Sequence, residues 1–169
     1  MTDIARYEAQ TGALQAQANA YAQHYGFLGE SNGAWDAFRH AFVSAELTRM
    51  HGSAVASALG YAHEHRNFLN GQPLNEPNMD MWNNAAGRDI GERSAGPADS
   101  ARRVKNALEN GSLISYPEDS RRHNDASKHP PDDKDPSPCC EECGASDSFP
   151  PPPPPPQPGS WGNGGVHIP

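Results

Sequence analysis

Long apolar runs are missing from this sequence. No stretch approaches the roughly 20 apolar residues that cross a bilayer, so no membrane span is expected. Met1-Thr2-Asp3-Ile4 leads directly into polar sequence, without the apolar core of a secretory signal. The expectation is cytoplasmic synthesis, with any export left to a specialised secretion system that needs no signal peptide. Cysteine is nearly absent, and Cys139, Cys140 and Cys143 all lie in the last third. The preceding sequence can therefore hold no disulfide and no cysteine nucleophile. Phosphate-cradling P-loop and GxGxxG patterns are lacking, as is the GxSxG of serine hydrolases. A basic footprint is lacking too. The net charge is −8, and −5 of it falls after Ser115, where 9 acidic residues face 4 basic ones. Nucleic acid is accordingly excluded as the expected partner. The short cluster Arg102-Arg103-Lys105 reads as the solvated face of a helix.

What is present divides into two unlike parts. Residues 1–115 are Ala-rich, with Leu, Phe, Trp and Tyr at helical intervals. This part is long enough for one small core. Residues 116–169 are rich in Asp, Ser and Pro and end in Gly-rich sequence. They cannot bury enough apolar surface to offset their chain entropy, so a disordered, acidic, Pro-rich tail is expected. Pro150 to Pro156 run unbroken and favour a polyproline II rod. Such a rod is a spacer or a ligand for an SH3- or WW-like groove. Cys139-Cys140-Glu141-Glu142-Cys143 contains a CxxC. A zinc clip there would need His123, His129 or His167 to complete four ligands.

Periodicity predicts about five helices and no strands: an all-α, compact bundle. The first covers about Thr2 to Tyr25, with Ile4, Tyr7, Leu14, Tyr21 and Tyr25 on one stripe and Gly26 as its stop. The second runs from Ala34 to Met50. It is apolar on more than one side, which predicts a central position. The third, capped by Ser53, runs to Phe68. Its small residues, ending in Gly60 and Ala62, leave a face that a neighbour can approach closely. A loop with Pro73 and Pro77 follows, then a fourth helix from Asn78 or Met79 to Arg93. A fifth, capped by Asp99 or Ser100, carries Ala101, Val104, Ala107 and Leu108 as its apolar stripe and stops at Asn110-Gly111.

Three of these helices carry polar groups among residues that should be buried. Asp36 and His40 stand four apart and share a helix face. The carboxylate can hold the imidazole tautomer and raise its basicity, as a general base or a metal ligand requires. Arg39 beside them can pair with Glu46 or with a substrate anion. His63, Glu64 and His65 are consecutive, so they point about 100° apart and cannot converge. Glu64 is the expected inward residue, one turn after Gly60, with His63 next and His65 in solvent. On the fourth helix Asp80, Asn84, Gly87, Arg88 and Gly91 fall on one stripe. The two glycines predict close backbone approach beside a polar pocket. Asp80 can serve as a metal ligand or base, and Asn84 can hold a water or an oxyanion.

In order, Asp36-x-x-Arg39-His40-Ala41, Ala62-His63-Glu64 and Met79-Asp80-x-x-Asn83-Asn84-x-x-Gly87-Arg88 resemble the motifs of a family of small all-α bacterial domains. Those domains stand alone or end large secreted polymorphic-toxin proteins. The resemblance covers about Gly33 to Glu92, leaving out the first helix and the tail. It implies an effector acting on competing cells, and with it an immunity protein or a secretion-apparatus component as partner. It also implies hydrolysis more than binding.

Together these readings give an expected hydrolase centre of Asp36, His40, Glu64 and Asp80. Arg39, His63, Asn83, Asn84 and Arg88 are its expected substrate-binding residues. If a divalent metal ion takes part, His40, Glu64 and Asp80 are its expected ligands; a metal-free acid–base site is the chemical alternative. A phosphoester or a cell-envelope bond is the expected substrate. The non-enzymatic alternative is a binding or adaptor module, with a structural polar core and a polyproline docking tail.

Overall fold

In a computed structural model of the chain, residues 3–71 and 75–123 are described. The expected tail from residue 124, with its polyproline run and its three cysteines, lies outside them. Five α-helices follow one another: α1 Asp3–Tyr25, α2 Ala34–His51, α3 Ser53–Leu69, α4 Asn75–Gly91 and α5 Pro97–Glu109. No strand occurs among the described residues. The protein is all-α, as the periodicity requires.

Helix α2 is the axis of the bundle and packs against all four others. Its residues explain why. Ala37, Phe38, Ala41, Phe42 and Ala45 are fully buried, and they join Ala18, Tyr21 and Ala22 of α1 with Ala101, Val104 and Ala107 of α5 in one core. Small residues on α2 admit a close neighbour. That neighbour is α4. A Cβ on Gly87 would stand 2.2 Å from the Ala41 carbonyl oxygen, and one on Gly91 would stand 2.3 Å from that of Ala45. The ascending register, 41 against 87 and 45 against 91, means that α2 and α4 run in the same direction. Helix α3 runs the opposite way beside them, with Leu47 packed near Ala56 and His40 near Glu64.

Three helix starts depart from expectation. Ser53, expected as the cap of α3, is its first helical residue, and the Gly52 carbonyl accepts the Ala56 N–H at 3.2 Å. Helix α4 begins at Asn75, so Pro77 lies in its first turn instead of breaking the chain. There the missing N–H of proline has no helical partner to lose. Helix α5 begins at Pro97 with Gly96 before it. Asp99 still acts on the start of this helix, because its Oδ2 accepts the Ala95 N–H at 3.0 Å. Ser100 instead donates to Glu46 Oε1 at 2.7 Å, deep in the core.

The segment after α5, assigned by composition to the tail from Tyr116, packs back on α4 through residue 123. Asn83 holds Ile114 by both its amide groups, donating to the Ile114 carbonyl at 2.8 Å and accepting its N–H at 2.9 Å. Trp82 Nε1 donates to the Ser112 carbonyl at 2.8 Å. Arg121 pairs with Asp119 at 2.7 Å and donates to the carbonyls of Gly111 and Leu113 at 2.6 and 3.1 Å. Its guanidinium stacks over Trp82, 5.2 Å from the ring centre. A single arginine thus closes the strap, where average composition shows only polar sequence.

Candidate functional site

The parallel packing of α2 and α4, with α3 laid across them, brings three of the predicted carboxylates around one imidazole. Asp36 sits one turn before His40 on α2, and their Oδ1 and Nε2 atoms are 3.4 Å apart. From α4, Asp80 Oδ1 reaches the same Nε2 at 3.4 Å. From α3, Glu64 Oε1 lies 3.7 Å from the other ring nitrogen, Nδ1. Asp36, Glu64 and Asp80 are 4%, 2% and 3% exposed. His40 has carboxylates at both ends of its ring.

Asp36 is well supplied with partners. It pairs with Arg39 and accepts the Asn32 N–H at 2.7 Å. Arg39 also donates to the Glu30 carbonyl at 3.3 Å. It does not pair with Glu46. That glutamate is held by Arg49, one turn further along its own helix. The Glu64 and Asp80 carboxylates differ sharply from Asp36. Both oxygens of Glu64 and Oδ1 of Asp80 are buried without a well-formed hydrogen bond, the two carboxyls instead standing close enough to share a proton, with the Asn84 amide beside Glu64. The other such side-chain atoms among the described residues are the hydroxyls of Tyr25 and Thr48. An orphaned carboxylate oxygen is far costlier than an orphaned hydroxyl.

The electrostatics follow from this crowding. Burial opposes the charge of Asp36, but His40, the Asn32 amide and Arg39 outweigh it and hold the carboxyl below its usual range. Burial opposes the imidazolium of His40 as well, yet Asp80, Asp36 and Glu64 together raise its pKa above 6.5. Burial carries the Glu64 carboxyl up to about 7; the charge of Asp80 and a hydrogen bond to it add, while the His40 charge and the Asn84 amide resist. Asp80 is raised for the same first reason, again against the pull of His40. His63 is lowered by burial and then by its cationic neighbours, His40 foremost.

A cleft of about 400 Å³ opens over His40 between α1, α2 and α3. Its walls include Arg39, His40, His63, Glu64, Arg66 and Asn84, with Val43, Leu47 and Leu59 on the apolar side. The rings of His40 and His63 are 6.4 Å apart. Asn84 stands against α3, where a Cβ on Gly60 would meet its Nδ2 at 3.4 Å. A second cleft, about 620 Å³, lies on the other side of Glu64. Tyr61, His65, Met81 and residues of the 117–123 strap line it. Glu64 is the wall that the two clefts share.

Sequence spacing thus brings Asp36, Arg39, His40, His63, Glu64, Asp80 and Asn84 to one place, and leaves two expected residues out. Asn83 is fully buried and committed to the Ile114 backbone, because adjacent helical residues point about 100° apart and only Asn84 can face α3. Arg88 lines neither cleft. It lies two turns beyond Asp80, about 12 Å along the axis. The expected metal ligands change as well. The donor atoms that lie within 4.8 Å of one another belong to Asp36, His40 and Asp80. Asp36 takes the place expected for Glu64, which faces the opposite ring nitrogen.

Arg66 and Gln15 are among the cleft residues that sequence spacing did not single out. Arg66 is three residues after His63 and so shares its face, a spacing that could have flagged it. Gln15 of α1 also lines the cleft, and nothing local distinguishes it from the other polar residues of that helix.

Residues 4–112 match the family model described as Domain of unknown function (DUF6973). The chain belongs to this family. The match takes in α1 and α5, both beyond the Gly33–Glu92 stretch that carries the three motifs. No solved structure matches the chain.

Proposed function

Taking the chain as a member of that family, we propose that it is a hydrolase whose proton-handling pair is His40 and Glu64. Asp36 and Asp80 hold the His40 ring, and an anionic substrate, a phosphoester foremost, occupies the cleft beside them. One contrast carries this reading. Glu46 and Glu64 are equally buried, at 1% and 2% exposed. Glu46 is satisfied in full, by a two-pronged contact with Arg49 and by the Ser100 hydroxyl. Glu64 makes no well-formed hydrogen bond, and the polar groups that act on it are the Asp80 carboxyl and the Asn84 amide, with no arginine among the described residues paired to it as Arg49 is to Glu46. A structural polar core satisfies its members, as the Glu46 network does. A reactive carboxylate next to an imidazole is left open for what it must bind.

The chemistry fits neutral pH. A carboxyl with a pKa of about 7 exchanges its proton readily under cellular conditions. As carboxylate, Glu64 takes a proton from the attacking water while the new bond to phosphorus forms. His40, as imidazolium, gives its proton to the leaving oxygen as the old bond breaks. Proton return from Glu64 to His40, across the 3.7 Å gap, resets the pair. Arg39, His63, Arg66 and Asn84 line the same cleft and suit an oxyanion there.

The motif order that resembles polymorphic-toxin domains supports an antibacterial effector as the biological setting. An immunity protein and a secretion-apparatus component are the partners that setting brings. The test is growth of a bacterial host expressing the full chain, in the cytoplasm and again exported to the periplasm, beside Glu64→Gln. Arrest in the cytoplasm that the variant abolishes supports a phosphoester substrate. Arrest only in the periplasm redirects the reading to a cell-envelope bond. Soluble, folded protein without effect in either compartment overturns the effector reading and favours a binding module.

A further inference from the structure

We infer that Asp36, His40 and Asp80 bind a divalent cation through Oδ1, Nε2 and Oδ1, with Glu64 outside the ion as the carboxylate that holds His40 by Nδ1. This deepens the hydrolase reading and rests on its assignment of the cluster as the active centre. Where the ion is bound, His40 is a ligand and no longer the acid of the metal-free scheme above, and Glu64 remains the proton carrier.

Three observations support the site. The first is spacing. A cation about 2.1 Å from two donors at a tetrahedral angle holds those donors about 3.4 Å apart. The His40 Nε2 atom is 3.4 Å from Asp36 Oδ1 and 3.4 Å from Asp80 Oδ1. The second is charge. Three buried carboxylates surround two cationic groups, His40 and Arg39. Of the three, Asp36 also pairs with a guanidinium, and acidic groups crowded together away from water are costly to ionise without a cation among them. The third is the pair of orphans. Asp80 Oδ1, the atom turned toward Nε2, makes no well-formed hydrogen bond, and neither do the oxygens of Glu64 on the other side of the ring.

The surroundings also match what a metal centre needs. A metal-bound histidine commonly gives its second N–H to a carboxylate, and ligating carboxylates are themselves hydrogen-bonded. Glu64 faces Nδ1, the Asn32 N–H holds Asp36 Oδ2, and Arg39 pairs with the same Asp36 Oδ1 that would face the ion. Two carboxylates favour hard ions and the imidazole favours later transition ions, so Mn²⁺ and Zn²⁺ are the fitting class. Such an ion supplies Lewis acidity toward a phosphoryl oxygen and lowers the pKa of bound water.

The test uses the full chain, freed of metal with a chelator and titrated with Mn²⁺. Mn²⁺ is the probe because thiolates such as those of Cys139, Cys140 and Cys143 prefer softer ions. Loss of the free-ion electron paramagnetic resonance signal should report one tight site per chain. Asp80→Asn should weaken it at least about tenfold, and Glu64→Gln about tenfold, the cost of losing the carboxylate that orients a metal-bound histidine. Glu109→Gln, on the surface of α5, should leave it unchanged. In the wild-type chain, Mn²⁺ should broaden the His40 ring resonances before those of the other histidines, a readout that needs no variant to fold. Absence of a tight site, or broadening that spares His40, overturns the inference. Tight binding at His40 without hydrolysis removes the hydrolase reading alone. Hydrolysis that persists in chelator without a Mn²⁺ site removes the metal alone.

Discussion

His40 Nδ1 and Glu64 Oε1 are 3.7 Å apart across the gap between α2 and α3, and neither oxygen of Glu64 makes a well-formed hydrogen bond. Glu64→Gln keeps the shape of the side chain and removes its charge. The variant should remain folded, with stability equal to or above that of the parent. Hydrolysis should fall by about 10²–10⁴-fold, the usual cost of losing a general acid or base. Thermal melts and rates on a phosphodiester panel check the two halves. A destabilised variant would show that Glu64 has a structural partner instead.

The same carboxylate sets a pH dependence in the metal-free protein. Its pKa rises from 4.5 to about 7 on folding, so the folded state binds more protons than the unfolded chain between those values. The Glu64 contribution should therefore fall as pH rises from about 4.5 to 7, while Asp36, Asp99 and Asp119, held below the usual carboxylate range, remove stability at lower pH. The fall due to Glu64 is on the order of 3 kcal/mol. His40, whose pKa is also raised, adds in the same direction, because its stabilising proton is lost as pH rises. Denaturant midpoints across this range, with chelator present, should slope downward in the parent and less so in Glu64→Gln. A flat parent profile would contradict the burial of the pair.

Gly87→Ala should be severely destabilising. The added methyl would stand 2.2 Å from the Ala41 carbonyl oxygen, and the atoms it meets are all backbone, with no flexible side chain to give way. A loss of about 3 kcal/mol or more is expected, at or above the upper end for overpacked cores. Gly60→Ala meets only the Asn84 side chain at 3.4 Å and should change stability by less than about 1 kcal/mol. Urea unfolding of both variants checks the difference. Equal effects would mean that α2 and α4 are not in this register.

The strap gives a prediction about chain length. A chain ending at Ser115 loses Asp119 and Arg121, and with them the clamp on Trp82 and on the carbonyls of Gly111 and Leu113. It should be less stable than one ending at His123 by about 2 kcal/mol, the scale of a few charge-assisted hydrogen bonds. Arg121→Ala in the full chain should reproduce most of this loss. Faster amide exchange at Ile114 should accompany it, since its N–H rests on Asn83 beside the clamp. Identical melts for the two lengths would show that the strap adds nothing.

Helices α1, α2 and α3 were legible because apolar spacing and glycine stops are local properties. The start of α4 was not, because Pro77 reads as a breaker wherever its position in the first turn is unknown. The inward turn of Glu64 was legible from Gly60, one turn before it. The commitment of Asn83 to Ile114 was not, because its partner lies 31 residues away. Arg121 was hidden for the same reason: average composition cannot show a side chain that clamps distant carbonyls.

By itself, the amino-acid sequence determined an all-α bundle, with acid, imidazole and amide groups placed on three of its helices. Only the tertiary structure decided how those groups meet. The register of Gly87 on Ala41 and Gly91 on Ala45 fixes how far α4 slides along α2. That slide brings Asp80 to the Nε2 side of His40, while α3 brings Glu64 to the Nδ1 side. Periodicity specifies a face on each helix. The axial offset and relative direction of two helices depend on which backbones can touch, and that is a property of the packed pair.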